Sequence, residues 1–417
     1  MGKKDPTDPL KDIRSSLGDE LKGRSVILCV TGSVASIEIP ALARALMRHG
    51  AEVNVVMSEA AERLVRPETL QWATGNPVVR KLTGETEHVR LAGEWEGRAD
   101  LVLIAPCTAN TISKIALGID DTPVTTMASM ALGGRIPLIV CPAAHEPMYR
   151  NPAVHANVMT LEERGVEFVG PRYEEGKAKM ASLEEIVDAV IRTLSVQDLR
   201  GKRALVSGGP TVEFIDPVRV ITNLSSGKMG LALAKEAWRR GAEVFYVFGG
   251  SLYPPAQIRS RRVRTTGEMM KAVLDELGKT RYDLFISAAA PSDFAPASSS
   301  RKKLSTEGGR ITLALEPTPK IIEEVRKRMP KIYLVAFKAE TSGSARELRS
   351  AIRRYKDKVG ADLVVGNDVS GGKGFGKDTN SVVILGKRRS RASGERSKDK
   401  IARIILDEVV ADRKTRR

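Results

Sequence analysis

The strongest constraint on this chain is that one pattern occurs twice. Leu21-Lys-Gly-Arg24 and Leu199-Arg-Gly-Lys202 each lead into an apolar run and a glycine turn. Further on, Arg48-His-Gly-Ala-Glu-Val53 is echoed by Arg239-Arg-Gly-Ala-Glu-Val244. Between these landmarks short apolar runs alternate with helical stretches, the pattern of βαβ units on a parallel sheet. Strands are expected at 25–30, 52–57, 100–105, 136–141 and 166–169 in the first half. In the second they are expected at 203–207, 243–248, 282–288, 332–336, 362–365 and 381–385. The fold expected is α/β, two Rossmann-like parallel-sheet domains in tandem. Predicted boundaries are an N-terminal arm at 1–23, domains at 24–195 and 196–411, and a basic tail at 412–417. At 417 residues the chain suits two domains of ordinary size.

The two copies are not equal. Gly23 and Gly50 stand 27 residues apart, whereas Gly201 and Gly241 stand 40 apart. The 13 extra residues fall around Asp216–Gly230. An insertion at the first βα turn of a doubly wound sheet lies where such folds bind ligands. The alternative is that both halves share only a common βα idiom; the reading of the insertion does not depend on common descent.

Composition narrows the function. There is no apolar run long enough for a membrane span, and residues 1–23 lack the apolar core of a signal peptide, so a cytoplasmic enzyme is expected. Cys29, Cys107 and Cys141 sit in or just after apolar runs and read as buried thiols without metal-ligand spacing. The net charge of +16 admits nucleic-acid binding or anionic metabolites. With aromatics at 4% there are few stacking platforms for single strands, and charge concentrates at Lys387-Arg388-Arg389 and Arg413-Lys414. No nucleic-acid and no membrane partner is expected.

In the first half, Thr31-Gly-Ser-Val-Ala-Ser36 ends the first strand before a helix whose terminal amides can hold phosphate. It is not the full dinucleotide fingerprint. The third strand ends in Ala105-Pro-Cys-Thr-Ala-Asn-Thr111, and His88, one of four histidines, lies upstream in Glu87-His-Val-Arg-Leu-Ala92. Together with Pro142-Ala-Ala-His-Glu-Pro-Met-Tyr149, these motifs resemble the flavin-dependent cysteine decarboxylases, and within them phosphopantothenoylcysteine decarboxylase. The resemblance implies bound FMN, with contacts from Gly32, Ser33, Ala35, Ser58, Thr108, Asn110 and Thr111. It implies His88 as the base and His145 and Met148 at the substrate. In that family the flavin oxidises the cysteine thiol to a thioaldehyde, CO2 leaves, and reduced flavin restores the thiol. Two positions depart from the pattern. Ala144-His145 stands where the family has Met-Asn, and the flap Tyr173–Met180 lacks the family's cysteine donor. Lys177, Lys179 or water remain as donors.

In the second half, Gly208-Gly-Pro-Thr211 precedes Asp216-Pro-Val-Arg219 and Asn223-Leu-Ser-Ser-Gly-Lys-Met-Gly230. Small and hydroxyl residues before a lysine at a helix start suit a phosphate chain, although the P-loop spacing is missing. The bland alternative is a Ser/Gly-rich helix cap. The whole stretch resembles phosphopantothenate–cysteine ligases of coenzyme A biosynthesis. The resemblance implies activation of the 4′-phosphopantothenate carboxylate by CTP, with Mg2+, and attack by cysteine on the acyl-cytidylate. The residues alone do not separate CTP from ATP. Asn223 and Lys303 are the implied catalytic residues and Arg219 a substrate contact. The implied nucleotide contacts are Ser225, Ser226, Gly227, Lys228, Ala289, Asp293, Lys303, Pro319, Lys320, Ile321, Ile322 and Phe337, with Asp293 also toward Mg2+. Arg354 and Lys358, four apart on one helix face, complete the set; a solvated basic face is the alternative. The resemblance also implies a homo-oligomer, with trimeric contacts for the flavin part and dimeric contacts for the ligase part. Two competing readings are an active ligase with an impaired decarboxylase, and a basic flavoprotein regulator that binds nucleic acid.

Overall fold

A computed structural model describes residues 9–305, 309–341, 344–370, 376–387 and 389–414. The chain divides into two compact units, Met1–Val196 and Gln197–Arg417.

In the first unit a parallel sheet comprises β1 (Ser25–Val30), β2 (Glu52–Met57), β3 (Leu101–Cys107), β4 (Leu138–Pro142) and, beyond the short β5 (Ala144–His145), β6 (Glu167–Phe168). Its order is β2-β1-β3-β4-β6. Both faces are covered, which is why the strands are continuous apolar runs. Along β1 the side chains alternate between two cores: Val26, Leu28 and Val30 join one, Ile27 and Cys29 the other. The first core is closed by α1 (Ile39–Arg48) and, further along the chain, by residues 186–191. The second is closed by residues 112–116, 124–131 and 158–161. The three cysteines are free and buried, and burial pushes each thiol pKa upward.

After β2 come α2 (Glu59–Glu62), α3 (Pro67–Thr74) and α4 (Glu87–Ala92). After β3 come α5 (Ala109–Leu117) and α6 (Pro123–Gly133). Past β4, α7 (Glu146–Tyr149) and α8 (Pro152–Glu163) lead to β6. The hairpin β7 (Arg172–Glu174) and β8 (Lys177–Lys179) follows, and α9 (Leu183–Leu194) closes the unit, capped at Ser182 with Glu185 in a capping box.

The second unit holds an eight-stranded sheet in the order β13-β12-β9-β14-β17-β18-β20-β21. In chain order, β9 (Arg203–Gly208) precedes the small hairpin β10 (Val212–Phe214) and β11 (Val220–Thr222). Next are α10 (Lys228–Arg239), β12 (Glu243–Phe248), β13 (Arg259–Arg262), α11 (Thr266–Lys279) and β14 (Leu284–Ser287). Then come a second hairpin, β15 (Phe294–Pro296) and β16 (Leu315–Pro317), α12 (Ile321–Arg328), β17 (Tyr333–Glu340), α13 (Ala345–Val359) and β18 (Leu363–Asp368). The final elements are β19 (Thr379–Asn380), β20 (Val382–Leu385), β21 (Ser390–Ala392), β22 (Arg396–Ser397) and α14 (Lys398–Lys414). Pairing is parallel from β13 to β18; β20 and β21 add antiparallel.

The internal echo has a structural cause. Gly50 and Gly241 each end a helix with φ of 100° and 90°, a conformation glycine adopts without strain. A Cβ on Gly50 would also lie 2.9 Å from the Lys22 nitrogen. The 13 extra residues form the β10–β11 hairpin and the turn into α10.

Two predicted boundaries need correction. Leu10 and Leu21 are buried in the first core, so residues 10–21 are part of that unit rather than an arm. Helix α14 runs to Lys414, with Asp412 accepting from Tyr333 at 3.0 Å and Arg413 donating to Asp283 at 3.1 Å. The expected tail therefore fails for 412–414; residues 415–417 lie outside the described residues, as does Arg388 in the basic cluster.

Helix α10 sits unusually near β9. A Cβ on Gly230 would lie 2.6 Å from the Gly208 Cα. Gly230→Ala is expected to lower stability by about 1–3 kcal/mol through overpacking, read as a drop in thermal midpoint.

Candidate functional sites

In the first unit the chain crosses between neighbours on opposite sides of β1, so β1 and β3 diverge at their carboxyl ends. That is the switch point at which doubly wound sheets take ligands. Thr31 ties the two ends together: its Oγ donates to the Pro106 carbonyl at 2.7 Å and accepts from the Thr108 amide at 3.1 Å. Thr108 caps α5, with its Oγ 3.1 Å from the Thr111 Oγ. Asn110 is exposed on the first turn of α5. A Cβ on Gly32 would meet the Ala60 Cβ at 2.5 Å, so this turn needs glycine for close approach.

The sequence predicted a helix directly after Gly32-Ser33. A five-residue 3-10 helix, Val34–Glu38, stands there instead, and α1 starts at Ile39. The Ser36 hydroxyl drives this by bonding back to the carbonyls of Thr31 and Ser33. Ala35 lies in that 3-10 turn.

Two polar atoms here are buried without a hydrogen-bond partner: Ser58 Oγ, at the exit of β2, and His88 Nδ1, on α4. Burial of an unsatisfied polar group costs about 1–3 kcal/mol, so such atoms mark places where a ligand completes the bonding. Glu87, the neighbour of His88, is fastened elsewhere. That carboxylate accepts from the Thr83 amide at 2.9 Å and from its hydroxyl at 2.6 Å, bonds that hold its pKa down to about 2.

His145 and Met148 are exposed on the segment leaving β4. His145 lies opposite Lys177, and β5 joins β8 and β7 in a small three-stranded sheet. The substrate-side strand and the cysteine-free flap are thus one structural piece. Lys179 is tied to Glu174 at 3.1 Å and Glu175 at 3.0 Å, and its pKa is raised by these bonds. That makes it a poorer proton donor than an ordinary lysine.

In the second unit a cleft of about 1190 Å³ opens over the carboxyl ends of β14 and β17. It gathers Asn223, Ser225, Ser226, Gly227, Lys228, Ala289, Asp293, Pro319–Ile322, Phe337, Arg354 and Lys358 from well-separated stretches of sequence. The Asn223 side-chain amide donates to the carbonyls of Pro291 at 2.8 Å and Ala290 at 3.3 Å. Gly227, with φ of 78°, starts α10 without a side-chain cap, leaving its amide terminus facing the cleft.

Two predicted residues lie elsewhere. Lys303 is exposed and does not line the cleft. Its strip is fastened to the β10–β11 hairpin, with Ser300 N donating to Ile215 O at 2.9 Å and Leu304 N to Asp216 at 3.1 Å. Arg219 does not line it either: its guanidinium donates to Asp216 at 2.6 Å and to Leu304 O at 3.1 Å. Burial opposes the Asp216 charge, but the amides of Val218, Leu304 and Arg219 and the Arg219 guanidinium outweigh it and hold the carboxyl well below its usual range. Arg219 therefore braces the hairpin. Asp293 is ion-paired with Lys320. Among the described residues no group of three His, Cys, Asp or Glu side chains occurs that could hold a metal ion.

Comparison with known proteins decides the family. Residues 14–195 match the Flavoprotein family, and residues 199–412 match the DFP family, the DNA/pantothenate metabolism flavoprotein C-terminal domain. The "Coenzyme A biosynthesis bifunctional protein CoaBC" of Thermococcus kodakarensis is 48% identical over 400 residues, spanning 96% of this chain and 98% of that protein. The chain belongs to the CoaBC family. The member from Methanocaldococcus jannaschii is 39% identical over 97% of each chain. That from Escherichia coli is 34% identical over 95% of this chain and its own full length. Like other CoaBC proteins, this one is a bifunctional enzyme of coenzyme A biosynthesis, with a flavoprotein decarboxylase half followed by a ligase half. No helix among the described residues is long and apolar enough to cross a membrane.

Some cleft residues left no sequence signal. Lys398, Asn380 and Tyr355 line the cleft, yet none stands in a motif. Lys398 arrives only because β19 pairs with β22 immediately before α14.

Proposed function

We propose that the second unit joins 4′-phosphopantothenate to cysteine at the expense of CTP, and that the first unit decarboxylates the product to 4′-phosphopantetheine with FMN. The observation that carries this reading is the single cleft in which the Asn223–Lys228 turn faces the nucleotide set Asp293, Lys320, Phe337, Arg354 and Lys358.

In the ligase half, a carboxylate oxygen attacks the α-phosphorus and the bond to the β-phosphate breaks, releasing pyrophosphate. The cysteine amine then attacks the acyl carbon, loses a proton to solvent and expels CMP. Negative charge builds on phosphate oxygens in the first step and on the carbonyl oxygen in the second, so aimed cations and donors are what accelerate both. Lys228, Arg354 and Lys358 supply cations, and the α10 amide terminus supplies donors. Mg2+ would enter with the nucleotide and offset the charge of its phosphates, with Asp293 of the cleft as the protein carboxylate nearest this role.

In the decarboxylase half, Gly32, Ser33, Ala35, Ser58, Thr108, Asn110 and Thr111 would hold FMN. The unpartnered Ser58 hydroxyl and the glycine-requiring turn at Gly32 both suit such a group. FMN supplies the reversible two-electron oxidation of the cysteine thiol that turns the neighbouring carboxylate into a leaving CO2. His88 moves the proton, and the β5–β8–β7 piece covers the substrate side. Ser58→Ala is expected to weaken FMN binding about tenfold, the lower end for a hydrogen bond to a charged group. It is also expected to leave the unliganded chain no less stable. Flavin fluorescence titration and a melting curve read the two effects.

Soluble metabolites on both sides of the reaction suit the cytoplasm. A homo-oligomer is part of the same family reading. Light scattering tests it. The nucleic-acid reading predicts duplex binding that survives physiological salt.

A further inference from the structure

The ligase cleft contains a cation that the reading above leaves without a task. Lys398 is only 8% exposed, yet it lines the cleft. Its ammonium makes no hydrogen bond or ion pair among the described residues. Its backbone amide donates to the Asp378 carbonyl at 3.1 Å, and the Asp378 carboxylate is ion-paired with Lys228. Lys228 is the first residue of α10, which packs against α14, where Lys398 is also the first residue. Two lysines therefore share the neighbourhood of one carboxylate, which is largely exposed and already engaged by Lys228.

The stem of Lys398 is buried while its ammonium opens toward the cleft, and the one carboxylate near it is already shared with Lys228, so an anion that arrives from the cleft can take that ammonium as a partner. Burial, and then the nearby Lys228 charge, lower the Lys398 pKa, and the Asp378 charge offsets this only in part. That is the pattern of a cation held short of a partner.

We propose that Lys398, with Lys228 and the amino terminus of α10, forms a phosphate subsite of the ligase cleft, and that Asp378 occupies Lys228 until the phosphate arrives. The ligand class is a phosphomonoester or a polyphosphate. This rests on the ligase reading, which supplies one ligand of each kind: the 4′-phosphate of the acid and the phosphate chain of the nucleotide.

The test uses the full chain and three probes, inorganic pyrophosphate, CTP and 4′-phosphopantothenate, each followed by the shift in melting temperature and by calorimetric titration. Lys398→Met keeps the aliphatic stem and removes the charge. It is expected to weaken at least one probe about tenfold or more, the scale of a hydrogen bond to a charged group. The ligand-free chain is expected to melt no lower than the parent, because Met keeps the buried aliphatic stem and no hydrogen bond of the ammonium is lost. Lys398→Arg is expected to retain binding, and Asp378→Asn to tighten it by releasing Lys228. Loss with pyrophosphate and CTP assigns the subsite to the nucleotide, and loss with 4′-phosphopantothenate alone assigns it to the acid. Parental binding of all three probes by Lys398→Met overturns the proposal. So does a ligand-free chain that melts lower, with Lys398→Arg failing to retain binding, since that is what a structural lysine would give. Because the probes bind without turnover, a parent chain that binds them but releases no pyrophosphate from CTP would count against the ligase reading instead.

Discussion

Replacing His88 with Asn is expected to cut CO2 release by about 10²- to 10⁴-fold, the range that a positioned acid or base contributes. Pyrophosphate release from CTP should be unchanged in the same preparation, because His88 belongs to the first compact unit and the ligase cleft to the second. The expectation rests on geometry. His88 Nδ1 is buried without a partner, and Glu87 spends its carboxylate on Thr83 rather than on the imidazole. The ring therefore keeps its hydrogen-bonding capacity uncommitted on that side. Asn keeps a polar side chain of similar reach but cannot exchange a proton near neutral pH. Retained flavin absorbance with lost CO2 release separates a catalytic role from a binding one. CO2 release at the parental rate would remove His88 from the mechanism.

Asn223→Asp is expected to lower amide formation by about 10²- to 10³-fold, the cost of losing one aimed donor in an acyl-transfer site. The wild-type side chain donates to the carbonyls of Pro291 and Ala290, which bind the turn before α10 to the loop carrying Asp293. A carboxylate has no hydrogen to donate and would set negative charge against those two carbonyl oxygens. Activation of the substrate carboxylate depends on cations elsewhere in the cleft, so acyl-cytidylate is expected to accumulate while capture by cysteine fails. Quenching a single turnover and separating the nucleotide products measures it. Free CMP and amide at the parental rate would exclude the role assigned to Asn223.

The frame of this molecule was legible because buried parallel strands advertise themselves. All eleven apolar runs become strands; most bounds differ by at most two residues, while β18 and β17 run three and four residues further, into the polar ends at Asp368 and Glu340. What was hidden is short or has little apolar content. Strand β13 reads Arg-Ser-Arg-Arg and is exposed throughout, an edge strand whose pairing with β12 follows from backbone alone. The β5–β8–β7 piece is likewise short and largely polar, and the β10–β11 hairpin, although apolar at Val212, Phe214, Val220 and Ile221, has strands of three residues each, too short for a period to show. The N-terminal segment looked like an arm because Leu10 and Leu21 are too far apart to form a periodic face, yet both are buried in the first core.

The same contrast runs through the sites. Residues within one contiguous turn, from Asn223 to Lys228, were recognisable because glycine, hydroxyls and a lysine are concentrated there. Positions set by long-range pairing were not. Lys303 follows a promising stretch of sequence, but Asp216 and Arg219 fasten its strip to a hairpin outside the lining of the cleft. Lys398 follows no motif and is carried in by the last helix. A residue's neighbours in sequence describe its turn, while its chemistry depends on which other elements reach that turn.

A single preparation, given CTP, Mg2+, 4′-phosphopantothenate and cysteine, decides whether both reactions belong to this one chain. Pyrophosphate and CO2 should appear in equal final amounts from a protein that carries flavin absorbance, with CO2 lagging behind pyrophosphate. Pyrophosphate without CO2, from protein saturated with FMN, would contradict the assignment of two consecutive steps and leave a ligase alone.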